Sequence, residues 1–149
     1  MREDGGISLF DVCKNEREKR ILADPDLHET LRILFIRLGV TPRFHGYDYL
    51  LFAVKIGIVD RKYLRHVTTC AYTLIAARFD VDPAVVERDI RRALETIVVK
   101  NRISVLNDYL GAEVFGPHDR PTNAEFISLV ADKITCDLIR RGKMLPVGM

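Results

Sequence analysis

The sequence lacks the features of a membrane-spanning, secreted or disulfide-bonded protein. No apolar run in its 149 residues approaches the roughly 18 residues that a membrane-spanning helix needs. The chain starts with acidic residues and glycines where a signal peptide would carry an apolar stretch. Its three cysteines, Cys13, Cys70 and Cys136, are odd in number and widely spaced, so a disulfide framework is not expected. We therefore expect a cytoplasmic protein without a membrane partner.

Patterns typical of catalysis and cofactor binding are also missing. There is no Gly-x-Gly-x-x-Gly or Gly-Lys-Ser/Thr loop for phosphate, and no serine in a nucleophile elbow. His66 and Cys70 are four residues apart on a predicted helix. Zinc would need two more ligands, and His28, His45 and His118 have no matching spacing. We predict that the protein is not an enzyme, binds no metal or cofactor, and has no small-molecule substrate.

The charge is nearly balanced overall but unevenly distributed. The net charge is +2, yet residues 61–102 alone carry a balance of +4 and the remainder a balance of −2. A local basic patch of this kind attracts nucleic acid even when the whole chain is close to neutral. A solvated helix face is the alternative explanation.

The apolar pattern predicts an all-α fold. Sustained period-2 alternation is absent, whereas apolar residues recur at spacings of three and four. A six-helix domain is expected over residues 24–142, preceded by an extension at 1–23 and followed by a tail at 143–149. The helices are predicted at about 25–38, 46–58, 62–79, 83–97, 103–110 and 123–141. The third is expected to be deeply buried, because it is rich in small and apolar residues.

Several helix ends carry their own signals. Asp24 and Asp82 each precede a proline, which fits an N-cap followed by the first helical position. Gly39 ends the first predicted helix. Thr122 and Glu125 have the spacing of a capping box, in which each side chain satisfies a free backbone N–H group.

The third and fourth helices are joined by residues 80–82 only, which fits a helix-turn-helix. In that motif the second helix enters the major groove of DNA with its N-terminal end first. Helix pairs of this geometry also occur in bundles that bind no nucleic acid.

The second helix of this pair carries residue types that recognise DNA. Its early exposed positions are Glu87, Arg88, Arg91 and Arg92. Arg88 and Arg91 are three residues apart and are expected to share a face, and the fork of an arginine matches two acceptors of guanine. Glu87 can accept from cytosine N4. We predict base reading by these residues and phosphate contacts from the two cations that follow the helix, Lys100 and Arg102.

Two segments resemble a known family. The first is Phe79-x6-Val86-Glu87-Arg88-x-Ile90-Arg91-x-Ala93-x-Glu95, and the second is Pro121-Thr122-Asn123-x-Glu125-Phe126-Ile127-x-x-Val130-Ala131-Asp132-Lys133. Gly39-Val40 and Gly46-Tyr47-x-Tyr49-Leu50 match upstream. Together they resemble the C-terminal effector domain of stage zero sporulation protein A, the response regulator that starts endospore formation, over about residues 27–141.

This resemblance implies a six-helix DNA-binding fold without a wing, in which a helix-turn-helix binds short repeated promoter boxes, often as tandem dimers. It places Glu87, Arg88 and Arg91 on the recognition helix, and Arg92 where the family often has histidine. Val85 replaces a family arginine that helps to read guanine. Asp89 replaces a small residue and would repel phosphate if it faced the duplex.

We therefore expect a transcription regulator that binds double-stranded DNA, as a possible homodimer. Only about 23 residues precede the first predicted helix, whereas a receiver domain needs more than a hundred, so a regulator without a receiver is expected; a domain excised from a longer protein is the alternative. An interaction module that interferes with a full-length relative is the second functional hypothesis. Val85, Asp89 and the apolar clusters at 7–10 and 21–22 motivate it.

Overall fold

The computed structural model describes residue 13 and residues 15–66 and 70–142, and within these residues the fold is all-helical. The all-α prediction is therefore confirmed. In chain order the helices are α1 (Glu16–Leu22), α2 (Pro25–Leu38), α3 (His45–Val59), α4 (Lys62–Arg65), α5 (Tyr72–Phe79), α6 (Pro83–Val99), α7 (Ile103–Leu110) and α8 (Asn123–Arg140).

The described part of the chain contains eight helices rather than the six that the sequence predicts. One addition is α1, which lies in the segment predicted as an extension. The other arises because the helix predicted over 62–79 is two helices, α4 and α5. His66 ends α4 with a non-helical backbone (φ −128°, ψ 54°).

Most of the predicted helix ends are confirmed by the hydrogen bonds that close them. The Asp24 carboxylate accepts from a backbone N–H of the first turn of α2, and Gly39 ends that helix with φ 89°. At the start of α8, the Thr122 hydroxyl accepts from Glu125 N at 3.1 Å, and the Glu125 carboxylate accepts from Thr122 N at 2.9 Å. Asp82 precedes α6, but its side chain makes no capping bond.

The centre of the domain is α3, which packs against both α6 and α8. Its side chains are apolar on nearly all sides, and most of them are buried. The prediction that residues 62–79 form the deeply buried helix is therefore wrong. No residue of α4 is buried, and in α5 the buried side chains are Tyr72, Ile75 and Ala76.

Helix α1 packs on α2 and α3. Ile21 and Leu22 are both buried there and belong to the main core. This apolar cluster is thus covered by the domain itself, whereas the cluster at 7–10 lies outside the described residues. No helix among the described residues is both long and apolar enough to cross a bilayer.

Candidate nucleic-acid interface

Helices α5 and α6 form a helix-turn-helix with a turn of three residues. Asp80 ends α5 in the left-handed region (φ 56°), which a short polar side chain tolerates better than most. Val81 N then donates to Ala76 O at 3.0 Å, and α6 begins at Pro83. The two helices pack directly against each other, so the turn predicted at 80–82 is present.

Helix α6 has one buried and one exposed face. The buried positions are Val86, Asp89, Ile90, Ala93, Leu94 and Ile97. The exposed positions that lie opposite them, which we call the outer face, are Ala84, Arg88, Arg92, Glu95 and Val99. A helix of 17 residues has a length of about 25 Å. The outer face can therefore lie along a groove of DNA.

Arg88 and Arg92 are the cations of the outer face. They are four residues apart, so they lie one helical turn from each other on the same side. The Arg88 side chain is 44% exposed, although its Nε atom lies 3.3 Å from Asp89 Oδ1. Arg92 is exposed, and no acidic side chain of the described chain forms an ion pair with it.

Asp89 belongs to the buried face of α6. It is only 8% exposed, and its negative charge, together with burial as the larger cause, raises the pKa of Tyr49 on α3. A carboxylate in this position does not face an approaching duplex. Its inward orientation removes one of the observations that motivate the interaction-module hypothesis.

Arg91 is held between two carboxylates on the edge of the outer face. Its Nη1 atom lies 2.6 Å and 2.7 Å from the two carboxylate oxygens of Glu87, and its Nε atom lies 4.0 Å from Glu95 Oε1. The Arg91 side chain is 39% exposed, but its charge is balanced in the free protein. Glu87 and Arg91 therefore form a pair rather than two independent base readers.

The two cations predicted to bind phosphate occupy different surroundings. Lys100 Nζ donates to Gly39 O at 3.0 Å and lies 5.7 Å from the centre of the Phe44 ring. Arg102 is exposed beyond the end of α6, immediately before α7. Both residues are exposed, and among the described residues Lys100 has a hydrogen-bond and a ring partner whereas the Arg102 side chain has neither.

Residues 31–134 match the family model described as the C-terminal domain of sporulation initiation factor Spo0A. The chain belongs to this family. The matched segment contains α3 to α7 completely, and with them the whole helix-turn-helix. The Spo0A C-terminal family is a DNA-binding regulatory family and not an enzyme family.

Asn123, in the second segment shared with the Spo0A family, has a role that sequence patterns do not indicate. Its side chain is 8% exposed, and Nδ2 donates to Tyr72 Oη at 2.9 Å and to Glu87 O at 3.0 Å. These partners are 51 and 36 residues away in sequence. Because no local spacing encodes such contacts, the sequence carried no signal that would have found this residue.

Three further residues of this Spo0A-family domain, Val85, His66 and Cys70, were singled out by the sequence. Val85, which stands in place of a family arginine, lies in the first turn of α6, two residues after Pro83. Its side chain is half-buried. His66 and Cys70 lie near each other because Cys70 N donates to His66 O at 2.8 Å. Among the residues that the structure describes, no three His, Cys, Asp or Glu side chains are grouped as metal ligands.

Proposed function

We propose that this protein binds duplex DNA sequence-specifically through the outer face of α6 and thereby regulates transcription. The observation that carries the proposal is the pair Arg88 and Arg92, exposed one turn apart on the second helix of a helix-turn-helix. Membership in the Spo0A C-terminal family supports it.

The proposed affinity comes mainly from phosphate contacts and from the release of counterions. Arg92 and Arg102 are exposed and suit this task. Base preference is assigned to Arg88, whose fork can donate to O6 and N7 of one guanine, and to the Glu87–Arg91 pair. Binding requires Arg91 to exchange part of its contact with Glu87 for a base, which makes its contribution dependent on the base present.

We also propose that two copies bind together on DNA. Paired helix-turn-helix domains read half-sites about 34 Å apart or at multiples of that distance, because this is one turn of the duplex. Duplexes selected from a random pool are therefore expected to contain two copies of one short box at a fixed spacing.

The test is selection of bound duplexes followed by titration of the best one at several salt concentrations. Arg92→Ala is expected to weaken binding to all duplexes and to lower the slope of log affinity against log salt by about 0.9. Arg88→Ala is expected to cost about 1–3 kcal/mol of discrimination at one base pair.

Arg140→Ala is the matched control for the loss of one positive charge. Arg140 pairs with Asp137 near the end of α8, about 25 Å along the helix axis from Asn123. The proposal is wrong if the selection enriches no sequence, or if Arg88→Ala and Arg92→Ala bind DNA as Arg140→Ala does.

A further inference from the structure

Three helices meet at the side chain of Asn123. This residue begins α8, while its two partners, Tyr72 and Glu87, belong to the two helices of the helix-turn-helix. The hydrogen bonds of 2.9 Å to Tyr72 Oη and 3.0 Å to Glu87 O are made by the same Nδ2 atom. One amide group from outside the motif therefore contacts both of its helices.

The backbone next to Asn123 is held rigidly. The capping box of Thr122 and Glu125 closes the first turn of α8 with two reciprocal hydrogen bonds. Phe126, one turn further on, is buried and contacts the ring of Phe35. Because the start of α8 is fixed in this way, the Nδ2 atom holds the Glu87 carbonyl at a defined place.

Glu87 connects Asn123 to Arg91, which lies at the edge of the outer face of α6. Its carbonyl oxygen accepts from Asn123, while its carboxylate oxygens lie 2.6 Å and 2.7 Å from Arg91 Nη1. A short chain of contacts thus runs from Tyr72 through Asn123 and Glu87 to the guanidinium of Arg91. A rotation of α6 at this point would move Arg91 relative to any bound base.

The asparagine makes two hydrogen bonds through one of its polar atoms and leaves the other unsatisfied among the described residues. The Oδ1 atom of Asn123 is buried and has no hydrogen-bond partner in the described part of the protein, and such an atom carries a desolvation cost. An apolar side chain of similar size would remove that cost but would leave the buried Tyr72 hydroxyl without its hydrogen bond from Asn123. What distinguishes the asparagine is that its two donated hydrogen bonds reach both helices of the helix-turn-helix and fix their geometry relative to α8.

We propose that Asn123 is a positioning residue for base recognition, which sets the rotation of α6 at Glu87 and so the place of Arg91. This inference rests on the proposed function, since it assumes that α6 reads DNA. It predicts that Asn123 affects the choice between sequences and leaves the phosphate contacts unchanged.

The experiment compares the full chain with its Asn123→Ala and Asn123→Asp variants. Each is titrated with the best duplex from the selection and with a scrambled duplex of the same length and composition, across a range of salt concentrations. The ratio of the two affinities is expected to fall about tenfold, which corresponds to one lost base preference. For Asn123→Ala, the affinity for the scrambled duplex should stay within about twofold of wild type. The slope of log affinity against log salt for that duplex should be unchanged.

Asn123→Asp serves as the second variant because it keeps the size of the side chain and lacks both N–H donors. Aspartate suits the first turn of a helix, but its charge would be buried beside the Glu87 carbonyl oxygen, so the melting temperature of this variant is measured together with its affinities. Leu138→Ala is the control for general destabilisation. Leu138 is buried near the other end of α8, and its truncation should lower the melting temperature without changing the affinity ratio.

A double-mutant cycle separates positioning from general loss of stability. Arg91→Ala should lower the affinity ratio in the wild-type background and have little further effect in the Asn123→Ala background. Arg92→Ala should have the same effect in both backgrounds.

Two results overturn the inference in distinguishable ways. If wild type discriminates between the duplexes while both Asn123 variants discriminate equally well, the inference is wrong and the proposed function stands. If wild type itself does not discriminate, the proposed function fails and the inference fails with it.

Discussion

Lys100 donates a hydrogen bond of 3.0 Å to the carbonyl oxygen of Gly39, a residue 61 positions earlier in the chain. Gly39 is the residue that ends α2, where the helix dipole attracts a positive charge. The ammonium also lies 5.7 Å from the Phe44 ring. Lys100 therefore joins the end of α6 to the loop before α3.

The first prediction follows from this contact. Lys100→Met is expected to lower the free energy of unfolding by about 1 kcal/mol, because it removes a charged hydrogen bond and a favourable charge at a helix end. Its effect on the salt dependence of DNA binding should be small. Urea denaturation and DNA titration measure the two effects.

Arg102→Ala is the matched comparison for Lys100→Met. It removes a cation exposed beyond the same helix, so the stability should change little and the salt slope should fall by about 0.9. The opposite pattern, with a reduced slope only for Lys100→Met, would show that Lys100 leaves Gly39 to contact phosphate.

The second prediction concerns the close approach of α3 to α6. A Cβ atom at Gly46 would overlap the backbone oxygen of Asp89 and lie 3.0 Å from the Ala93 Cβ. Glycine to alanine inside a helix normally gains about 0.5–1 kcal/mol. Here the overlap with backbone should reverse the sign, and Gly46→Ala is expected to cost about 1–3 kcal/mol.

Gly57→Ala provides the control in the same helix. A Cβ atom there would meet chiefly the tip of the Leu64 side chain, which can change rotamer. Thermal unfolding of the two variants should therefore show a large loss for Gly46→Ala and a small change for Gly57→Ala. Equal melting temperatures would contradict the packing described between α3 and α6.

The third prediction concerns Tyr109 on α7. Its hydroxyl is buried with no hydrogen-bond partner among the described residues, and burial raises the pKa of Tyr109 to about 12. Tyr109→Phe removes an unsatisfied polar group and is expected to raise the free energy of unfolding at pH 7 by about 1 kcal/mol.

The same variant should change the response to alkali. The pKa of Tyr109 is higher in the folded than in the unfolded state, so the unfolded state ionises first as the pH rises. The stability that depends on a neutral Tyr109 hydroxyl is fully present below the pKa of this tyrosine in the unfolded chain. It is lost as the pH rises towards 12. Urea denaturation between pH 9 and 12 should show a shallower loss for Tyr109→Phe than for wild type; an identical pH profile would be evidence against this burial.

The fourth prediction compares the two carboxylates that flank Arg91. Glu87→Gln and Glu95→Gln each remove one negative charge from α6, so both should raise the affinity for a scrambled duplex. Only Glu87 makes a close contact with Arg91, at 2.6 Å compared with 4.0 Å for Glu95. We therefore expect Glu87→Gln alone to reduce discrimination between duplexes. Equal discrimination by the two variants would show that Glu87 does not orient Arg91.

Most helix ends could be predicted from the sequence, but one helix boundary could not. The ends marked by Asp24, Gly39, Thr122 and Glu125 were predicted correctly, since each capping bond joins residues at most a few positions apart. That the segment 62–79 contains two helices was missed, because its many small and apolar residues favoured one continuous helix.

The candidate site was predicted only in outline. The helix-turn-helix and the positions of Arg88, Arg91 and Arg92 on its second helix could be predicted. The sequence pairs Arg88 with Arg91 on one face, whereas the exposed pair in the structure is Arg88 and Arg92. Whether each charge remains available could not be predicted. Arg91 and Lys100 are equally cationic in sequence, yet one is balanced by carboxylates and the other is bound to a carbonyl.

The local sequence alone determined that the protein is helical, where most helices begin and end, and where the turn between α5 and α6 lies. These features depend on neighbours within about one helical turn. The inward orientation of Asp89, the bond from Lys100 to Gly39 and the contacts of Asn123 arise only once α3, α6 and α8 are packed together. Their partners come from distant parts of the chain, so the packed arrangement of the helices, and no pattern of spacing, determines which side chains meet.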